Sequence, residues 1–252
     1  MKTLFLGRDK LEIYDSIDEL PVKRYQKFNK YMLVDAGIGS DLNDINDHIF
    51  KIARYIDKGD VSNAKKALSN MRQALYLVSQ ETNAKHLSYM ALIKSVNGKE
   101  VFDISDENLK RLLKYFDNQP KSYIEKLVEF VKKKISDELA LYFPAHFDDA
   151  AAKEYYQRLK RRTVLQLGEI AEQVDNSESI EAIDDFLFSL SKPQSFSGKN
   201  SAEIRFDKQF EEMCLFLKKE LNADPQEMTV LQFYNSFEYI KKTKKENGRK
   251  SD

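Results

Sequence analysis

Tryptophan is absent from this chain, and cysteine occurs once in 252 residues, at Cys214. A single thiol closes no intrachain disulfide and no cysteine cage for a metal. Glycine (8) and proline (5) are scarce, each under half its usual share of about 7% and 5%. A β-sandwich or barrel needs a turn every ~8–12 residues, and most turns are marked by these two residues. All-β architectures are therefore excluded. No stretch approaches the ~18 apolar residues of a spanning helix. The apolar run in Met1–Gly7 is too short for a secretory leader. An excess of one charge is also missing, since Lys+Arg and Asp+Glu are both 41. No overall field draws the chain to nucleic acid or to an anionic membrane. What is present is 42% hydrophobic residues, enough for a sizeable core. Composition predicts a soluble, mostly helical protein made inside a cell.

The first residues read differently from the rest. Thr3-Leu4-Phe5-Leu6, a Gly7-Arg8-Asp9-Lys10 turn and Leu11-Glu12-Ile13-Tyr14 make a strand–turn–strand pattern. A lone hairpin is marginal in water, so this arm must lean on the body or on a partner. Helical spacing follows. Pro21 suits the first turn of a helix running to about Ala36, and Gly37-Ile38-Gly39-Ser40 stops it. Leu42, Ile45, Ile49, Ile52 and Ile56 repeat at 3-4 spacing. Val61, Ala64, Leu68, Met71, Leu75 and Val78 do the same. Tyr89, Leu92 and Val96 resume that pattern, predicting a helix of roughly 50 Å over 61–96 if it is unbroken. Further helices are expected at 106–116, 119–142, 148–174 and 177–190, then over 206–221 and from 225 onward. The expected fold is mostly α: an irregular bundle of long amphipathic helices. Its segments are an N-terminal arm or hairpin (1–15), a helical body (16–190), a flexible breaker-rich loop (191–201), a C-terminal helical hairpin (202–240) and a charged, frayed tail (241–252).

Motifs that suggest chemistry dissolve under inspection. Gly37-Ile38-Gly39-Ser40 lacks the Gly-Lys-Ser/Thr ending of a phosphate loop and the third glycine of a dinucleotide fingerprint. It reads as a helix-to-helix corner. Asp41 to His48 resembles a calcium loop, but Ile45 and Asn46 stand where a ligand and the sharp-turn glycine belong. The same carboxylates suit the first turn of a helix. His48, His86 and His146 are far apart, and none has a metal partner one turn away. Cys214 lies between Met213 and Leu215 on a core-type helix and reads as a buried, inert thiol. No catalytic residue, cofactor site or metal site is predicted, and the chain is read as a non-enzyme.

Charge is segregated although it sums to zero. Arg158, Lys160, Arg161 and Arg162 form one basic stretch, and six of the ten residues from Lys241 to Lys250 are basic. Glu172 to Asp185 holds six acids and no base, including Glu178, Glu181, Asp184 and Asp185. Three readings stand: nucleic acid on the basic tail, docking of a basic region on one copy against an acidic region on the next, or solvated helix surface. Aromatics are 12%, all Phe and Tyr. Phe233, Tyr234, Phe237 and Tyr239 cannot share one helix face, so part of that cluster meets a second surface. The candidate interface is therefore Leu4, Phe5, Leu6, Ile13 and Tyr14 of the arm, Arg158, Arg161 and Arg162, the four acids at 178–185, and Phe233 with Tyr239.

Two stretches carry a resemblance. One runs Ile13-Tyr14-Asp15-Ser16-Ile17-Asp18-Glu19-Leu20-Pro21-Val22-Lys23-Arg24-Tyr25 and continues through Phe28-Asn29-Lys30-Tyr31 and Asp35-Ala36-Gly37-Ile38-Gly39-Ser40-Asp41. The other is Asp224-Pro225-Gln226-Glu227-Met228-Thr229-Val230-Leu231-Gln232-Phe233-Tyr234-Asn235-Ser236-Phe237-Glu238-Tyr239-Ile240. Together they resemble helical structural proteins of tailed bacteriophages, particularly crAss-like phages. The resemblance implies a non-enzymatic virion protein, made in the bacterial host cytoplasm, that forms a ring in the head-to-tail connector or tail. Its partners would be copies of itself in a cyclic oligomer and other virion proteins, with no membrane involved. A tail-assembly chaperone or adaptor, and a helical nucleic-acid-binding protein using the basic tail, remain as alternatives.

Overall fold

A computed structural model of the chain describes residues 1–35, 42–79, 83–144, 150–190 and 201–248. It is mostly helical, with one small antiparallel sheet. Two compact units are present: Met1–Leu139 together with Gln194–Asp252, and Ala140–Pro193. The Gly37–Ser40 corner, Asp41, His146 and nearly all of the 191–201 loop lie outside the described residues. Ser201 is the exception, and its hydroxyl caps the helix that follows by accepting from the Ile204 amide.

The larger unit begins with strands β1 (Lys2–Leu6) and β2 (Asp9–Ile13). Gly7 has φ +63°, as the first central residue of a type II′ turn requires. This hairpin is half of a four-stranded sheet. Strands β3 (Ile93–Val96) and β4 (Lys99–Glu100) complete it in the order β1-β2-β3-β4. The continuous 61–96 helix is thereby corrected. Helix α3 (Val61–Val78) ends early, α4 (Ala84–Ala91) is short, and Ile93–Val96 pairs antiparallel with β2. Asn97 (φ +51°) and Gly98 (φ +77°) form the connecting two-residue turn, a type I′ geometry that Asn-Gly favours. Leu4, Leu6, Leu11, Ile13, Ile93 and Val96 form the buried side of this sheet.

Helices α1 (Val22–Asp35) and α2 (Leu42–Asp57) flank the first gap in the description. On α3 (Val61–Val78), Ala64, Ala67 and Ala74 are buried, while Leu68 and Leu75 stay exposed. The buried face of α3 is thus rotated away from its leucines. Ile49 and Ile56 of α2 are likewise exposed. Next come α5 (Asp106–Leu113), with a 3-10 turn at Lys114–Phe116, and α6 (Lys121–Tyr142). Ile124, Leu127, Val131, Ile135 and Leu139 of α6 are all buried on one face, as their spacing predicts.

The second unit carries α7 (Ala150–Glu172) and α8 (Ser177–Leu190). The chain returns to the larger unit with α9 (Ala202–Leu221), a 3-10 turn at Pro225–Glu227, and α10 (Val230–Gly248). The frayed tail expected from 241 is corrected as far as Gly248. That stretch is helical, and Lys244 pairs with Glu220 at 3.0 Å while Lys241 pairs with Glu238 at 3.8 Å. The last segment is stitched to the first by backbone bonds. Val22 N–H donates to Met228 O and Val230 N–H to Leu20 O, both at 2.9 Å, and Leu231 N–H donates to Ile17 O at 2.9 Å.

Arg24 ties α1 to the sheet. It is 7% exposed, and its Nη1 donates to the carbonyls of Ala91 and Ile93, each at 2.9 Å. Its Nη2 donates to the Val101 carbonyl. Ala91 closes α4, so the cation meets the negative end of a helix dipole. Burial lowers the guanidinium pKa, yet from so high a starting value that it stays charged. Asp15 is a second buried charge, 6% exposed. Its carboxylate meets the Met1 ammonium at 2.7 Å and the Lys134 ammonium at 2.9 Å. Burial pushes its pKa up, but the hydrogen bonds from these two ammonium groups outweigh that and hold it below its ordinary 3.8.

Replacing Arg24 by Met leaves three carbonyls short of a donor and destabilises the fold by about 3 kcal/mol, read as a lower urea midpoint. Arg24→Lys does not restore it, because one ammonium cannot span three acceptors. A carboxylate with a depressed folded pKa contributes stability above its unfolded value and loses it as pH falls through the folded one. Wild-type unfolding free energy therefore drops as pH goes below about 4. Asp15→Asn starts lower at neutral pH and shows a flatter acid limb in the same titration.

Candidate functional site

In the larger unit, α1, α6, α9 and α10 line an open cleft of about 450 Å³, within the usual range for a ligand pocket, with Lys132 of α6 at its wall. Its walls are chiefly apolar: Val22, Met32, Leu33, Phe206, Phe210, Met213 and Phe233. The stitching of 17–22 to 228–231 sets α1 against α10 and so places Tyr25 beside Tyr234. The Tyr25 hydroxyl is hydrogen-bonded to Asn29 and Tyr234, and burial pushes both phenols upward. Both are neutral at pH 7. Cys214, nearby in the core cluster, is 4% exposed, with a thiol pushed up to about 11 by burial. It therefore offers no thiolate at neutral pH. The cleft can hold an apolar group and hydrogen-bond its polar edge.

A second groove runs beside it along α1. Lys23, Lys27 and Lys30 line it, but each has a carboxylate partner. Lys23 meets Glu227 at 3.1 Å, Lys27 meets Asp106 at 2.5 Å, and Lys30 meets Asp207 at 2.6 Å. The groove is a row of neutralised pairs rather than an anion site. Among the described residues, no three His, Cys, Asp or Glu side chains converge to hold a metal ion. No described helix is long and apolar enough to cross a membrane.

The candidate interface residues separate into two groups. Leu4, Leu6 and Ile13 are buried beneath the sheet, and Phe233 is buried in an aromatic cluster with Phe210 and Phe237. These four are corrected from interface to core, since strand alternation and the α10 face turn them inward. Tyr14 is half-buried, with the Arg24 guanidinium 5.6 Å and the Lys94 ammonium 5.7 Å from its ring centre. Phe5 (72%) and Tyr239 (64%) remain exposed.

Two of the basic residues meet partners inside their own unit. Arg162 forms a two-pronged pair with Asp184, Nε to Oδ1 at 2.5 Å and Nη2 to Oδ2 at 3.2 Å. Arg158 bonds Glu154 at 2.9 Å and lies 3.7 Å from the Phe186 ring centre. Asn176 completes the hairpin, its amide side chain donating to Leu165 O and its N–H to Glu169. The Arg162–Asp184 part of the basic-to-acidic docking expected between copies is thus satisfied between α7 and α8. Arg161 and Glu178 are exposed, and Glu181 and Asp185 are half-buried.

Two exposed features escape a reading by residue type. The first is the free edge of β1. Leu6 and Asp9 flank a two-residue turn, so Leu6–Asp9, Leu4–Leu11 and Lys2–Ile13 are the hydrogen-bonded pairs. The N–H and C=O groups of Thr3 and Phe5 therefore point away from β2. β1 is the outermost strand among the described residues. The second is the outer face of α7, where Val164, Leu167 and Ile170 are exposed. Their spacing is visible in the sequence, but only the placement of α8 shows which way they face.

Asp184→Ala leaves Arg162 without its carboxylate and loosens the α7–α8 pair by about 1 kcal/mol. Hydrogen exchange over 158–188 should accelerate, while the sheet and α6 keep their protection. No family model matches the chain, and no curated protein or solved structure matches it.

Proposed function

We propose that the chain is a non-enzymatic structural protein of a tailed-phage virion, a subunit of a ring in the head-to-tail connector or tail. One observation carries this reading: large apolar side chains stand exposed on elements far apart in the chain. Phe5 is 72% exposed, Phe50 72%, Phe102 81%, Leu141 78% and Ile170 79%. Scattered singly, such residues need no explanation. Here they recur on a strand, on helices of both units and on a connecting segment. A ring subunit needs two different contact surfaces, because heterologous contacts close a cycle. The free β1 edge supports the same reading, since the outward backbone groups of Thr3 and Phe5 are a template for strand addition by a neighbour. The resemblance to crAss-like phage structural proteins points the same way.

The tail-assembly chaperone differs by being transient. The exposed faces serve it equally, but a chaperone is absent from finished particles. The nucleic-acid reading is weakened by the ion pairs, because Arg158, Arg162, Lys241 and Lys244 all have carboxylate partners.

Mass spectrometry of purified virions separates the first two readings: fixed stoichiometry supports the ring subunit, and absence from particles overturns it. Thr3→Lys with Phe5→Lys places two charges along the free edge. Both side chains are exposed, so the melting temperature should hold within a few degrees. Incorporation into particles should fall sharply.

A further inference from the structure

The α7–α8 hairpin turns ionic side chains inward and an aliphatic stripe outward. The anchors that hold α8 to α7 sit at Arg158, Arg162, Leu165 and Glu169. Their 4-3-4 spacing marks one face of α7, and most of those contacts are polar or ionic. Half a turn round the helix stand Val164 (59% exposed), Leu167 (59%) and Ile170 (79%), continued past the helix end by Val174 (49%). A helix ordinarily turns its aliphatic stripe toward its neighbour and its charges toward water. Here α8 takes up Arg158 and Arg162 and leaves Val164, Leu167 and Ile170 exposed.

We propose that α7 pairs antiparallel with α7 of a second copy of this chain, about a two-fold axis near Leu167 and Ile170. Charge selects that occupant and that direction. The basic residues Lys160 and Arg161 lie before the stripe, and the acidic Glu172, Asp175 and Glu178 lie after it. An antiparallel pair sets the basic end of each copy against the acidic end of the other, twice over. A parallel pair sets base on base and acid on acid. Lys160 agrees round the helix as well as along it: seven residues at about 100° each bring it to within roughly 20° of Leu167, and it is exposed. In the antiparallel pair it therefore faces the end of the other copy that carries Asp175 and Glu178. Val164 and Ile170 then close the apolar seam around Leu167.

This contact is isologous. It is distinct from the heterologous contacts that close a ring, and it exists whether or not a ring forms. The stripe is only about three turns long, so the pair is weak in isolation and concentration-dependent.

The test is sedimentation equilibrium of the full chain over a range of protein and salt concentrations. Wild type should self-associate, more weakly as salt rises. Ile170→Asp should raise the dissociation constant at least ~10-fold. Because Ile170 is exposed, the helical circular dichroism should not change. Lys160→Glu should weaken association at low salt, and the difference from wild type should fade as salt rises. Three results overturn the proposal: a wild-type chain that stays monomeric, association indifferent to Ile170→Asp, or association indifferent to Lys160→Glu at low salt. The same variants scored for incorporation into virions keep this apart from the ring reading. An Ile170→Asp chain that still enters particles, with unaltered self-association, removes the α7 pair and leaves the ring. A dimer sensitive to Ile170→Asp that never enters particles does the reverse.

Discussion

The larger unit is organised around a buried guanidinium that donates to backbone carbonyls of three segments. Arg24 reaches from α1 to the last carbonyl of α4, the first carbonyl of β3 and the carbonyl beyond β4. Three segments are held at one point. A carboxylate in that place would satisfy the charge but fix only one element. Carbonyls from three elements satisfy it and fix their geometry together. With α1 set by that contact, the strand order, the aromatic cleft and the free β1 edge follow, since each is built on α1 or on the sheet it grips.

The helical framework was readable because its period is strong. The α6 stripe from Ile124 to Leu139 is buried at each of its five positions, and α5 and α8 begin at Asp106 and Ser177, where the sequence expects them. Strand β3 was misread because Leu92 and Val96 fall at helical spacing from Tyr89, and a short apolar run has no distinct period. The corrective signal was local. Asn97-Gly98 is the turn chemistry of a two-residue hairpin, whereas a helix stop needs only the glycine. On α3 the misjudged quantity was size. Leucines mark the larger stripe, but Ala64, Ala67 and Ala74 mark the buried face. Helix α10 outlasted its expected end because Glu220 and Glu238 neutralise lysines that the linear sequence shows as a basic run.

The candidate interface was legible in kind and wrong in part. Leu4, Leu6 and Ile13 were grouped with Phe5 by neighbourhood, yet in a strand adjacent residues face opposite ways. The basic and acidic stretches were paired in the right sense, but part of that attraction is spent within one hairpin. Charges in a linear sequence carry no record of whether their partner belongs to the same copy. Loop length decides it here: the four residues between α7 and α8 let Arg162 reach Asp184 without a second molecule.

The stitching of Ile17, Leu20 and Val22 to Met228, Val230 and Leu231 has a consequence for biosynthesis. A ribosome delivers the two halves of that seam some two hundred residues apart, roughly 10 to 40 s at ordinary elongation rates. Until the final stretch emerges, the entrance to α1 keeps open backbone groups and an uncovered aromatic wall. The nascent chain must wait in a partly sealed condition, and a product cut short before Met228 leaves that seam permanently unfinished.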